Sequence, residues 1–225
     1  KRNFAEGYLK SYYNFYYRKF QNEESRREAA IKLFKFTDLH FVKNKPKEEV
    51  LENGIIPAGF FINSINVSLS LNKYLWAEKF IEKNKIYLSE LNHDEVYSTT
   101  KALIHFHKKD YKSALYWFSK ITGKYTQLEL NRRIYTTIIY YEMQDSEGIK
   151  NQLNNVKTFK KSKKTNQGIV IIINNFLKYF NMLMKIFNMD KNNRREEVMM
   201  FKNKLVNDKK WIMKRQWLMD KIEEL

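Results

Sequence analysis

The 225 residues contain no cysteine, which excludes a disulfide scaffold, a thiolate nucleophile and any cysteine-containing zinc site. Proline occurs twice and glycine six times. Sandwiches and barrels of short strands need many turns, and turns consume both residues, so their scarcity argues for long helices with short connections. No unbroken run of about 18 apolar residues exists, and no transmembrane segment is expected. The strongest apolar run, residues 169–173, ends at Asn174-Asn175; with no partner strand elsewhere it reads as helix. The scattered glycines form no Gly-x-Gly-x-x-Gly, P-loop or Gly-x-Ser-x-Gly motif. No phosphate-cradling loop, no catalytic machinery and no cofactor is therefore expected. A cysteine-free chain suits a reducing compartment, and a cytoplasmic location is the expectation; a start at Lys1 is equally compatible with a signal peptide removed upstream.

What the chain does hold is positive charge and helical periodicity. Forty-two Lys/Arg face 25 Asp/Glu, a formal net charge of +17. The excess is uneven: residues 150–225 carry 18 cations against 7 acids, net +11, which leaves net +6 for the first 149. Such a field favours anionic partners, whether acidic protein segments, nucleic acid or lipid headgroups. A composition rich in Lys, Asn, Ile and Tyr produces the same charge with no functional meaning.

Apolar spacing predicts helices over residues 4–20 (Phe4, Tyr8, Tyr12, Phe15, Tyr16) and 23–42 (Ala30, Leu33, Phe34, Phe41), ended near Pro46. Asn53-Gly54 is a turn dipeptide, and the stretch 54–59 with Pro57 is the clearest internal break. Beyond it the chain repeats. Tyr74-x-x-Ala77-x-x-x-Ile81 returns 37 residues later as Tyr111-x-x-Ala114-x-x-x-Phe118, and a weaker third copy places Gly148 at the alanine position. Each follows a helical stretch, at 59–71, 95–108 and 127–143. Periods near 35 residues mean one helix hairpin per repeat, and the short side chain lets the two helices approach. Further helices are expected over 165–187, 194–206 and 208–223, the last two as a cap carrying Trp211, Met213, Trp217, Leu218 and Ile222.

Ala102, Phe106, Asp110, Tyr111, Ala114 and Phe118 resemble a tetratricopeptide repeat, with Lys109 at the usual turn glycine. Degenerate repeats before a Trp-Leu-Met-Asp-Lys-Ile-Glu-Glu-Leu end are also similar to helical-repeat proteins of Bacteroidetes, a resemblance that implies no particular activity. The expected architecture is all-α: a tetratricopeptide-like solenoid over 54–161, an N-terminal helical portion over 1–53 and a helical cap over 162–225.

Chemistry has few candidates. His105 and His107 project about 200° apart on a helix and cannot share a metal, so no metal site is expected. The pairs Glu23-Glu24, Glu48-Glu49 and Glu196-Glu197 sit near helix starts, where the dipole favours acids. Ser98, Lys101, His105 and Lys108, spaced 3, 4 and 3, share one helical face. In tetratricopeptide arrays the first helices line the concave groove, so the resemblance implies a basic groove of these four with Arg132. An acidic or extended protein segment is the expected partner. The alternative is nucleic acid on a second basic patch, Lys157, Lys160, Lys161, Lys163 and Lys164.

Overall fold

The computed structural model describes residues 23–44, 46, 48, 51–162 and 165–225. The helix expected over 4–20, Lys45 and Lys47 beside Pro46, and Lys163 and Lys164 lie outside the described residues. Those described are helical, with no strand among them beyond one isolated bridge, Glu52 with Ile55. The chain divides into two compact units, Lys1–Ile149 and Lys150–Leu225.

In the first unit α1 (Glu23–Thr37) runs into a π-helical turn, Asp38–Lys43. The wider turn carries Phe41 and Val42 into the core, and the helix Tyr74–Asn84 holds it there. The Asn84 amide donates to the carbonyls of Phe41 (3.0 Å) and Phe80 (2.9 Å), Lys83 donates to Val42 O, and the Trp76 indole donates to Asp38 Oδ1 (2.8 Å). The Asn53-Gly54 turn forms as expected: both residues have positive φ (53° and 81°), and Glu52 and Ile55 exchange backbone hydrogen bonds of 2.8 and 3.1 Å.

Five helices follow, α2 (Ala58–Ser70), α3 (Tyr74–Asn84), α4 (His93–His107), α5 (Tyr111–Ser119) and α6 (Thr126–Glu142), and α7 (Ser146–Lys160) begins on the last residues of the unit. Three connections, after α2, α4 and α6, are built alike. Each places one residue in the left-handed region, Asn72, Lys109 and Gln144, at φ 55–60°. Each makes the same pair of bonds back to the helix: Asn72 N to Leu69 O and Lys73 N to Ser68 O, Lys109 N to Phe106 O and Asp110 N to His105 O, Gln144 N to Tyr141 O and Asp145 N to Tyr140 O. This is the Schellman closure, which satisfies the carbonyls that a helix end leaves unpaired. The next helix starts two residues after the left-handed one, and its fourth residue, Ala77, Ala114 or Ile149, donates to the residue before the helix, Lys73, Asp110 or Asp145.

The last of these turns falls 35 residues after the one before it, where the sequence register expected 34. Ile149 takes the alanine position and Gly148 stands where Ser113 stood, both N–H groups donating to an aspartate cap (Asp110 and Asp145). Gly148 is still a contact residue: a Cβ there would lie 2.3 Å from Cδ1 of Tyr140. α2 packs on α3 and α4, and α4 packs on α5 and α6. Phe61, Ile65, Phe80, Ile81, Ala102, Leu103, Ala114 and Phe118 form a continuous core through them.

In the second unit α8 (Gln167–Phe187), α9 (Arg194–Asn207) and α10 (Arg215–Glu223) pack on one another. Asn166 caps α8 by accepting from Ile169 N at 3.0 Å, so residues 169–173 are helix and not strand. By length and composition α8 could cross a membrane, with a mean hydropathy of 1.3, although its strongest apolar run, residues 169–173, is short. Its buried side, including Ile173, Phe176, Phe180 and Leu183, lies in the core of the unit. Residues 208–214, expected as helix, are not helical. Arg215 donates to the carbonyls of Leu205, Asp208 and Lys210, and Lys214 turns through φ 61° before α10. Asp208 accepts from Tyr179 Oη (2.7 Å), Lys178 Nζ (3.2 Å) and Lys210 N (3.0 Å). These bonds let the apolar residues Ile212 and Met213 be buried without helical geometry.

Candidate functional site

The α4 stripe does share one face, but its neighbours differ from those of an open groove. Ser98 is buried. Lys108 Nζ lies 2.6 Å from Glu78 Oε1 and Lys101 Nζ lies 3.9 Å from Glu82 Oε1. Both acids are on α3, four residues apart, so the stripe runs along the seam with the preceding hairpin. Glu82 also accepts from Lys85 (2.6 Å) and Tyr97 Oη (3.1 Å). The Lys85 ammonium, with help from Tyr97 against the effect of burial, holds the Glu82 carboxyl below its ordinary value. His105 Nδ1 meets Asp110 Oδ2 at 2.9 Å, beside the Asp110 cap of α5. Ser64 and Ser68, which hold the corresponding positions on α2, are buried and donate to carbonyls of their own helix.

Arg132 is also engaged. Its guanidinium forks onto Glu129, with Nε to Oε2 at 2.7 Å and Nη2 to Oε1 at 2.6 Å, while Arg133 Nε reaches Oε1 at 2.7 Å. Glu129 is itself buried. A fork of this kind fixes guanidinium orientation. Of the five residues expected in a groove, one is buried and four already face a carboxylate.

A buried acid with no counterpart in the sequence reading is Glu95, in the first turn of α4. It is 5% exposed and accepts from Thr122 N (3.1 Å), the Thr122 hydroxyl, Lys124 N (3.1 Å) and Tyr125 N (3.3 Å). Burial pushes its carboxyl up; the hydrogen bonds from Thr122, Lys124 and Tyr125 outweigh that and hold it below the ordinary value. It pins the α5–α6 connection. An acid in a first helical turn has a sufficient local explanation in the dipole, so nothing in the sequence marked it.

The second basic patch behaves differently. The side chains of Lys157 and Lys161 are exposed and have no ion-pair or hydrogen-bond partner among the described residues. Lys160 is turned aside, donating to Asn174 Oδ1 of α8 at 3.0 Å. Lys150, which sequence reasoning passed over, is exposed and likewise unpaired among the described residues. Counting by helical turns from Lys150 would have found it, since it precedes Lys157 by seven residues and Lys161 by eleven.

Other chemistry has little to build on. Among the described residues no three His, Asp or Glu side chains come together as a metal site would need. A depression of about 260 Å³ is lined by Glu52, Asn53, Ile56, Pro57, Ser89 and Asn92, below the size of ordinary ligand pockets. Compared with protein-family profiles, curated proteins and solved structures, the chain matches none.

Proposed function

We propose that the chain is a non-enzymatic interaction module, in which tandem helix hairpins of tetratricopeptide-like register form the scaffold and an anionic partner is bound. The recurrence of one capping turn at Asn72, Lys109 and Gln144 carries this reading. The packing of α2 on α4 and of α4 on α6 supports it, because stacked hairpins bury first helix against first helix. An acidic or extended protein segment in a groove along α4 and α6 would have to displace Glu78, Glu82, Asp110 and Glu129 from Lys108, Lys101, His105 and Arg132. The lysines of α7 meet a partner with no such competition, and they are the surface this reading favours.

Affinity purification of the full chain tests it, comparing wild type with Lys101→Glu/Lys108→Glu and with Lys157→Glu/Lys161→Glu. The expected result is a partner retained by the α4 variant and lost by the α7 variant. Loss confined to the α4 variant would return the partner to the first-helix groove. Far-ultraviolet circular dichroism with substantial strand would remove the scaffold itself.

A further inference from the structure

Lys150 and Lys157 of α7 and Lys161, the residue after its last, continue one helical line, within about 40° of one another over about 16 Å. Asn154 is exposed between them, and Asn151 and Thr158 are exposed on the flanks. The helix's apolar residues Ile149, Val156 and Phe159 are buried, and no apolar residue of α7 is exposed. Its one acid, Glu147, sits in the first turn, where the dipole favours it. The dipole also accounts for Lys157 and Lys160 in the last turn, but it does nothing for Lys150 in the N-terminal half.

A face of lysine, asparagine, serine and threonine, with Glu147 as its one acid at the N-terminal edge, narrows the partner. Protein interfaces deplete lysine at their centre and need apolar or aromatic anchors. A helix lying in a membrane surface needs an apolar side. Single-stranded nucleic acid is held by aromatic platforms under its bases, and this face has none. The backbone of a duplex needs only aligned cations and neutral donors, and over about 16 Å one strand offers roughly five phosphates. Lysine is a point charge without the fork of arginine, so contact with phosphate is favoured over reading of guanine edges. We propose that the outer face of α7 docks the phosphate backbone of duplex nucleic acid without regard to sequence, an inference that rests on the anionic-partner reading above.

The test measures fluorescence anisotropy of two labelled DNA duplexes of unrelated sequence against salt concentration, using the full chain. Three phosphate contacts predict a log–log slope of about −2.7 and similar affinities for both duplexes. Lys150→Glu/Lys157→Glu/Lys161→Glu should weaken binding by about tenfold or more at low salt. The milder Lys150→Gln/Lys157→Gln/Lys161→Gln should flatten the slope, which keeps the test decisive if the charge-reversed chain misfolds. Lys32→Glu/Lys73→Glu/Lys112→Glu, exposed lysines of the first unit, makes the same change in net charge. Equal weakening by that control would show attraction by total charge and overturn the site. Two further probes separate the partners: poly-glutamate, and vesicles rich in phosphatidylserine. If either binds through α7 while the duplexes do not, the nucleic-acid inference is overturned and the anionic-partner reading stands. If none of the three probes binds, both fall.

Discussion

In the first unit, helix-face cations meet carboxylates: Lys101 and Lys108 meet Glu82 and Glu78 of a neighbouring helix, and Arg132 and Arg133 meet the buried Glu129 of their own. In the second, two arginines go to backbone carbonyls instead. Arg194 donates to Phe187 O (2.7 Å) and Met189 O (2.8 Å) at the end of α8, and Arg215 to Leu205 O and Asp208 O at the end of α9. The exposed lysines of α7 go to neither. With 7 acids for 18 cations the second unit cannot pair most of its charge. Its arginines close helix ends, where the dipole favours them, and its α7 lysines remain available. The difference separates basic residues that hold the fold from basic residues that are free to act on something else.

The comparison breaks most visibly at Arg215. Removing its side chain leaves the carbonyls of Leu205, Asp208 and Lys210 without their donor and frees the 208–214 segment. Hydrogen bonds to charged groups contribute about 1.5–3 kcal/mol, so Arg215→Ala should cost about 3 kcal/mol in urea unfolding. A change below about 1 kcal/mol would mean that Ile212 and Met213 hold the segment unaided.

Glu95 is the counterpart in the first unit. Glu95→Ala strands three backbone N–H groups, those of Thr122, Lys124 and Tyr125. It should cost about 2–3 kcal/mol. Glu95→Gln, which keeps an acceptor, should recover about half. Equal losses for both would show that the negative charge, and not the acceptor geometry, holds the connection.

Acid should separate the units a third way. The hydrogen bond from Tyr179, then the N–H of Lys210 and the Lys178 ammonium, lower the Asp208 carboxyl to about 2. A lowered folded value means that its stabilisation is complete above about pH 4 and is lost as pH falls towards 2. The loss should be about 2 kcal/mol. Asp208→Asn should remove that part of the acid dependence, and an unchanged acid limb in this variant would contradict it.

Much of this architecture can be read from residue spacing. The expected helices at 59–71 and 127–143 fall within one residue of α2 and α6, because apolar spacing and scarce breakers act locally. What escaped was set by distant groups. Trp211, Leu218 and Ile222 have helical spacing, yet Arg215 and Asp208 hold residues 208–214 in another form. Gly148 is small, as Ala114 is, and so mimicked it in the third copy; only the Asp145 bonds place Ile149 there. The α4 stripe was legible as a shared face, but not as a seam, since Glu78 and Glu82 come from another helix. On α7, Lys150 shares a face with Lys157 but lies seven residues before the dense lysine stretch that begins there, so density along the sequence did not mark it.

The smallest expected effect sharpens the comparison furthest. Lys108 and Glu78 are each 37% exposed, so their 2.6 Å pair is screened by water and contributes little. A double-mutant cycle of Lys108→Ala with Glu78→Ala should nevertheless give a coupling of about 0.3–1 kcal/mol, smaller in high salt. Lys157→Ala has no carboxylate partner among the described residues, so its effect on stability should stay within about 0.5 kcal/mol and be insensitive to removal of any single acid. Zero coupling at Lys108 would show that the α4 cations are as free as those of α7, which restores the groove as a binding surface. Substantial coupling between Lys157 and a carboxylate would place α7 among the fold-holding cations and remove the ground for assigning it a partner.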